Sequence, residues 1–221
     1  MINNQKTKNI YRIIWVLIAV IATIFTFTDH VSFMGGDGRP STLFFTSWSV
    51  WLCLLTSILC IVPTIQKKNS VQQWVMLVKF CANIMIIATF VVAAFVLPDK
   101  LWTAGYWNPG SIFKHFLLPI LTIADTVMFD EKDSYKVYYP IVGVVVPMLY
   151  WVIVVARICS ARNALGGALP ANLWDFYYPY GFTNFDNGHS LAGLCKILAG
   201  ISVGLLLIGY GFFFGKKSYK K

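Results

Sequence analysis

The stretch that decides the fold is IFKHFLLPILTIADTVMF, residues 112–129. It is mostly apolar, and its length is close to the roughly 20 residues that a helix needs to cross a bilayer. It nevertheless contains His115 and Asp125. Because ionisable groups are costly in hydrocarbon, a group placed inside a span is a hypothesis of function. The alternative is a structural one, in which such a group bridges two helices or lies at headgroup depth.

The rest of the chain has the same apolar character. Of its 221 residues, 57% are hydrophobic and 12% are charged, and the mean hydropathy is +0.66. Soluble domains carry roughly 25% charged residues, so the composition predicts one all-α integral membrane domain over residues 1–221. We expect six transmembrane helices in one bundle. The predicted spans are Ile10–Thr28, Thr42–Ile65, Val71–Leu97, Ile112–Phe129, Val137–Ala156 and Leu191–Phe214.

The positive residues predict the orientation of these spans. Lysines and arginines are concentrated near the N-terminus, at Lys67–Lys68 and near the C-terminus, in short segments that flank apolar runs. The positive-inside bias therefore predicts that both termini are cytoplasmic. The net charge of +9 does not indicate nucleic acid as a partner, because no basic face is interleaved with exposed aromatic residues.

The five cysteines do not indicate a cofactor. They show neither a Cys-x-x-Cys pair nor a Cys/His pairing at zinc spacing. Four of them lie in apolar runs, where a thiol behaves as a small hydrophobic side chain. We expect no metal site, no disulfide framework and no cofactor.

Two helix starts place two reactive side chains at one depth. Pro40 and Asn108–Pro109 mark the starts, since Asn is a preferred N-cap and proline suits the first helical turn. Thr46 lies six residues after Pro40, and His115 lies six residues after Pro109. Both are therefore roughly 9 Å inside helices that enter from the same outer face, so they can meet in the outer leaflet.

Thr46 also belongs to a stripe of small and polar residues on one face of the second span. The stripe consists of Thr42, Thr46, Ser49, Cys53, Ser57 and Cys60. Such a stripe is typical of a helix interface or an internal cavity, and tight packing is the structural alternative.

Three further polar residues lie deep in the spans. Lys79 and Asn83 are four residues apart and share one helix face, while Asp125 lies about 15 Å beyond His115 along its helix. All three are candidates for a supporting role at a site, and Asp125 is expected to be structural. The aromatic segment 174–182 is expected to act as a lid over a cavity or as an interfacial belt. Gly200 and Gly204 form a small-xxx-small pattern for close packing, either internal or between two copies of the chain.

A hydroxyl and an imidazole at one depth indicate a particular chemistry. A threonine hydroxyl is a weak nucleophile that needs an adjacent base. A neutral histidine can take the hydroxyl proton and later return it to a leaving alcohol. In the outer leaflet, such a pair could attack the ester of a lipid that enters laterally.

The residues that carry this chemistry resemble a known family. Phe44-Phe45-Thr46-Ser47 near the start of the second span, His115-x-x-x-Pro119 in the fourth and Tyr178-Pro179-Tyr180 before the last resemble the androgen-induced-protein family, especially its bacterial six-helix relatives. The resemblance implies hydrolysis of fatty acid esters of hydroxy fatty acids, with Thr46 as nucleophile and His115 as its partner. It also implies a bacterial plasma membrane, and the two helix starts predict that the site lies toward the outer leaflet. The segment 181–186 departs from the ending expected for this family.

A second class of function stays open. A non-enzymatic transporter or channel-like protein would use the buried polar residues Lys79, Asn83 and Asp125. Transporters often show inverted repeats and interrupted helices near the midplane. No internal symmetry is evident in this sequence, and the polar pair Thr46 and His115 is predicted to lie away from the membrane midplane.

Overall fold

Six long helices make up most of the molecule. The computed structural model describes residues 4–29, 38–66, 71–96 and 108–217, and within these ranges the regular structure is helical. Six helices are long and apolar enough to cross a membrane. They are α1 Gln5–Thr28, α2 Phe45–Ile65, α3 Gln73–Phe95, α4 Pro109–Phe129, α5 Tyr139–Ala164 and α6 Leu191–Gly215. The predicted all-α architecture with six spanning helices is confirmed. Leu97 and Lys67–Lys68 lie outside the described residues.

The largest differences from the predicted spans are at one end of α1 and one end of α5. The first helix begins at Gln5 rather than Ile10, because the Asn4 side chain caps it by accepting from the N–H groups of the first turn. The fifth helix continues past the predicted end at Ala156 to Ala164. It therefore carries residues that hydropathy assigns to a loop.

The central helix of the bundle is α3. It packs against α2 and α4 on one side and against α5 on the other, while α1 packs against α2 and α4. The apolar core accordingly has two parts, one among α1–α4 and one among α3, α5, α6 and the loop that follows α5. The outward faces carry exposed residues such as Leu17, Ile141 and Leu207. Such faces suit contact with hydrocarbon rather than water.

The segment between α5 and α6 folds back onto the bundle. Asp186 fixes it, since its carboxylate pairs with Arg162 and accepts hydrogen bonds from the Leu169 N–H (2.8 Å) and the Tyr178 hydroxyl (2.6 Å). Further along, the Tyr180 ring lies 5.8 Å from the Trp151 ring of α5. The aromatic residues of this segment therefore contact α5 near the start of α2.

The glycines of α6 do not pack in the way that their spacing predicts. A Cβ added at Gly200 or Gly204 would meet no atom within 4 Å in the described part of the chain. The prediction of internal close packing at these two glycines is therefore wrong, whereas close packing between two copies of the chain stays a prediction. The closely packed glycine is Gly209, where a Cβ would lie 3.2 Å from the Pro140 Cα.

Candidate active site

Thr46 lies in the first turn of α2. The chain enters this helix through a short 3-10 turn, Ser41–Leu43, and the extended residue Phe44. The N-cap residue Phe44 makes no side-chain cap hydrogen bond, and the Phe45 N–H instead donates to the hydroxyl of Tyr180 at 3.2 Å. Backbone N–H groups in a first helical turn have no acceptor inside the helix, and the helix dipole places partial positive charge there. Thr46 is therefore located where an anion is stabilised.

The rest of the polar stripe on α2 faces the interior. Ser49, Cys53, Ser57 and Cys60 are fully buried, and the Ser49 and Thr89 hydroxyls are 2.6 Å apart. Thr42 is the exception, because it is exposed in the 3-10 turn that precedes the helix. The buried stripe turns the partly buried Thr46 toward the neighbouring helices.

His115 lies in a widened turn of α4. Pro119 has no N–H to donate to the His115 carbonyl, and its ring would clash with that carbonyl in a regular helix. The chain therefore forms a π-helical turn over Phe113–Leu117, in which the Leu118 N–H donates to the Phe113 carbonyl. Turns of this kind occur frequently at functional sites. The sequence His-x-x-x-Pro is thus the local cause of the geometry around this histidine.

The two predicted residues contact each other. The distance from Thr46 Oγ1 to His115 Nε2 is 3.3 Å, and His115 is 9% exposed. In the tautomer that carries its hydrogen on Nδ1, Nε2 accepts the hydrogen bond from the threonine hydroxyl. A slightly long bond is common between a nucleophile and its base when no substrate is bound. The contact is found although its predicted cause is wrong: α2 begins at Phe45 rather than after Pro40, so Thr46 lies in the first turn of α2, whereas His115 lies in the second turn of α4.

Tyr180 also lies at the site, although no pattern in the sequence assigns it there. The Tyr180 hydroxyl accepts from the Phe45 N–H at 3.2 Å and lies close to the Thr46 and Tyr150 hydroxyls. Burial raises the pKa of Tyr180 to about 12, although these three partners lower it. The phenol is therefore protonated at neutral pH and can donate a hydrogen bond. Its place in the Tyr178-Pro179-Tyr180 segment was the available signal, but no local spacing predicts which helix it meets.

The residue before His115 ties α4 to the end of α1. Lys114 Nζ donates to Asp29 Oδ2 at 2.5 Å, and Lys114 is buried. Gly110 permits this contact, because a Cβ there would lie 2.4 Å from the same oxygen. The lysine charge beside the site is therefore paired.

The residues predicted to support the site gather elsewhere. Asp125 accepts from Arg12 and from Lys79 Nζ (2.5 Å), and Lys79 also pairs with Asp130. Asn83 donates to the Thr126 hydroxyl at 2.8 Å. These groups lie beyond His115 toward the far end of α4, so the structure does not bring Lys79, Asn83 or Asp125 to Thr46.

Two members of this buried charge cluster were not identified in the sequence. Arg12 belongs to the positively charged N-terminal segment, and Asp130 directly follows the last residue of α4. The signal that points to them is general: an ionisable side chain inside a span needs an opposite partner.

Comparisons of this chain with protein-family models, with curated proteins and with solved structures found no match.

Proposed function

We propose that this protein is an intramembrane threonine hydrolase that cleaves lipid esters, with Thr46 as nucleophile and His115 as general base and acid. The observation that carries the proposal is the 3.3 Å contact between Thr46 Oγ1 and His115 Nε2. A weak nucleophile within reach of a base is the arrangement that acyl transfer requires. The resemblance to the androgen-induced-protein family supports fatty acid esters of hydroxy fatty acids as the substrate class.

The reaction has two balanced steps. Thr46 Oγ1 attacks the ester carbonyl carbon and its proton passes to His115 Nε2; the bond to the alcohol then breaks, and His115 returns the proton to the leaving oxygen. A water molecule next gives a proton to His115 and attacks the acyl-threonine. The fatty acid leaves and Thr46 regains its proton. No metal or cofactor takes part in these steps.

The start of α2 supplies the electrostatics for this reaction. The negative oxygen of each tetrahedral intermediate would form beside Thr46, at the positive end of the α2 helix dipole. The protonated Tyr180 hydroxyl is a further donor at this corner. Preorganised donors at a developing oxyanion are usually the largest contribution to catalysis of this kind.

The surroundings suit a substrate that arrives through the membrane. We place both termini in the cytoplasm and the Thr46–His115 pair, the dyad, in the outer leaflet, because the lysine distribution favours that orientation. A bacterial plasma membrane is the location that the resemblance implies. A lipid ester that enters from the side reaches the dyad without leaving the hydrocarbon.

The alternative function is a transporter or channel-like protein that uses Lys79, Asn83 and Asp125. A polar cavity of about 190 Å³, lined by residues that include Lys8, Arg12, Thr64 and Asp130, favours this alternative. Against it, Arg12 and Lys79 both donate to the Asp125 carboxylate, and Tyr135 donates to Asp130 at 2.6 Å. Charges that are satisfied in this way hold helices together, so we favour the hydrolase.

Covalent labelling tests the proposal. An alkyl fluorophosphonate should form a stable adduct on Thr46, with release of fluoride, and mass spectrometry should locate the adduct. Thr46→Ala should remove the labelling and His115→Ala should slow it, whereas Ser47→Ala, a neighbouring buried hydroxyl, should leave it unchanged. Labelling that persists in Thr46→Ala would contradict the assignment. Substrate-dependent ion flux without ester hydrolysis would favour the transporter.

A further inference from the structure

An apolar groove lies between α5 and α6. Its volume is about 390 Å³, within the roughly 300–1,000 Å³ that is typical of small-molecule sites. Its walls are apolar side chains, among them Met148, Trp151, Leu194 and Leu198, together with the Cys195 thiol. The lining of the groove therefore suits an apolar chain rather than a polar headgroup.

The rim of the groove faces the bilayer. Val152 on α5 and Leu191 on α6 line it and are both more than half exposed. From Met148 to Ala156 the groove follows the middle of α5 for roughly 12 Å. Leu191 is the first residue of α6, so the groove begins at the same end of the bundle as Thr46. A lipid chain can therefore enter it sideways.

One indole separates the groove from the first turn of α2. Trp151 lines the groove and also stacks on Phe45, with the ring centroids 6.4 Å apart and the planes at 10°. Phe45 directly precedes Thr46. The Trp151 ring is also 5.8 Å from the ring of Tyr180, whose hydroxyl is at the dyad. The groove and the Thr46–His115 pair therefore lie on opposite sides of a layer of aromatic rings formed by Trp151, Phe45 and Tyr180.

We propose that this groove receives the acyl chain of the ester whose carbonyl Thr46 attacks, an inference that rests on the proposed hydrolase function. The walls match a saturated chain, the open side matches lateral entry, and the contact between Trp151 and Phe45 brings the groove next to the residue that precedes Thr46. The groove would set the preferred chain length. Unspecific bilayer lipid is the competing occupant, and it would not depend on Thr46.

Protection of cysteines from chemical modification provides the test. Cys195 on α6 and Cys159 on α5 are both exposed, but Cys195 lines the groove and Cys159 does not. The purified protein is treated with hexadecyl or ethyl fluorophosphonate, then with a maleimide, and modification of each cysteine is followed by mass spectrometry. In each adduct an oxygen–phosphorus bond forms at Thr46, fluoride leaves and His115 accepts the hydroxyl proton. The hexadecyl adduct should block Cys195 and spare Cys159, and the ethyl adduct should block neither.

The outcomes separate the two proposals. A hexadecyl adduct on Thr46 that leaves Cys195 reactive would overturn the groove while keeping the hydrolase. Protection of Cys195 that is equal in Thr46→Ala would identify the occupant as unspecific lipid and also overturn the groove. A failure of both probes to modify Thr46 would overturn the hydrolase, and the groove assignment with it.

A pair of matched variants tests the same inference through turnover. Val155→Trp fills the groove, whereas Val145→Trp makes the same change on a lipid-facing position of α5 outside it. Val155→Trp should lower kcat/KM for a palmitate ester by about tenfold or more and leave a butyrate ester unaffected, since even one methylene in an apolar pocket is worth about tenfold. Val145→Trp should change neither. Equal effects on both esters, or in both variants, would contradict the groove.

Discussion

Arg12 on α1 and Asp125 on α4 form a paired contact inside the bundle. Arg12 Nε lies 3.0 Å from Asp125 Oδ1, and Arg12 Nη2 lies 3.2 Å from Asp125 Oδ2. The same carboxylate accepts from Lys79, and the remaining Arg12 donor bonds to the Thr64 hydroxyl and the Cys60 carbonyl. This cluster connects the first four helices through bonds that hydrocarbon makes costly to break.

The first prediction is that Asp125→Asn destabilises the fold and leaves turnover per folded molecule intact. Removing the shared carboxylate takes the acidic partner from the buried Arg12 and leaves Lys79 with Asp130 alone, and breaking such a buried pair typically costs about 3–5 kcal/mol. Thermal unfolding in detergent and turnover normalised to folded protein measure the two effects. Glu131→Gln, which alters an exposed carboxylate in the adjacent loop, is the control. Normal stability with lost turnover would place Asp125 at the site instead.

The second prediction concerns Tyr180→Phe. The change removes the hydroxyl that accepts from the Phe45 N–H and reaches the Thr46 hydroxyl. Loss of one hydrogen bond worth about 1–1.5 kcal/mol should lower kcat/KM about tenfold with the fold intact. Tyr178→Phe is the matched control, since its hydroxyl bonds to Asp186 in the loop. Equal turnover losses in both variants would mean that Tyr180 acts only through loop stability.

The third prediction is a pH dependence that Asp186 imposes on the loop after α5. Burial alone would raise the pKa of Asp186, but hydrogen bonds from Tyr178 and the Leu169 N–H, together with the charge of Arg162, hold it below its ordinary value. A lowered pKa adds stability that is complete above the unfolded value of about 3.9 and is lost as the pH falls through the folded value. Asp186→Asn should therefore lower the unfolding temperature at neutral pH. The difference from wild type should shrink in acid, and a difference that persists there would contradict this account.

The fourth prediction compares two glycines of α6. Gly209→Ala should destabilise the protein, because the new Cβ would press on Pro140 at the start of α5. Gly200→Ala, which meets no atom within 4 Å, should be neutral or slightly stabilising, since alanine favours a helix over glycine by about 1 kcal/mol. Unfolding temperatures in detergent decide between them. Destabilisation by Gly200→Ala alone would instead indicate packing between copies.

The features that the sequence predicts correctly depend on local rules. Apolar length locates the six spans, and Pro109 marks the start of α4. Pro40 does not mark the start of α2, which begins only at Phe45, so the Thr46–His115 contact does not follow from equal distances to the two helix starts. The end of α5 is missed because hydropathy treats Arg157 as a boundary, although the residue stays helical and donates to the Phe176 carbonyl.

The features that the sequence misses depend on which elements become neighbours. Arg12 meets Asp125 because α1 packs against α4, and Tyr180 reaches Thr46 because a long loop folds back. Neither pairing follows from spacing along one segment. A charged side chain inside a span implies that an oppositely charged partner exists, but the sequence does not show which residue that partner is.

A double-mutant cycle on ester hydrolysis determines whether Thr46 and His115 act as one unit. Thr46→Ala and His115→Ala should each lower kcat by about 10²–10⁴-fold, the usual contribution of general-base assistance. Because residues that act together are non-additive, the double variant should be hardly slower than either single variant. Wild-type turnover in Thr46→Ala, or losses that simply multiply in the double variant, would contradict the dyad.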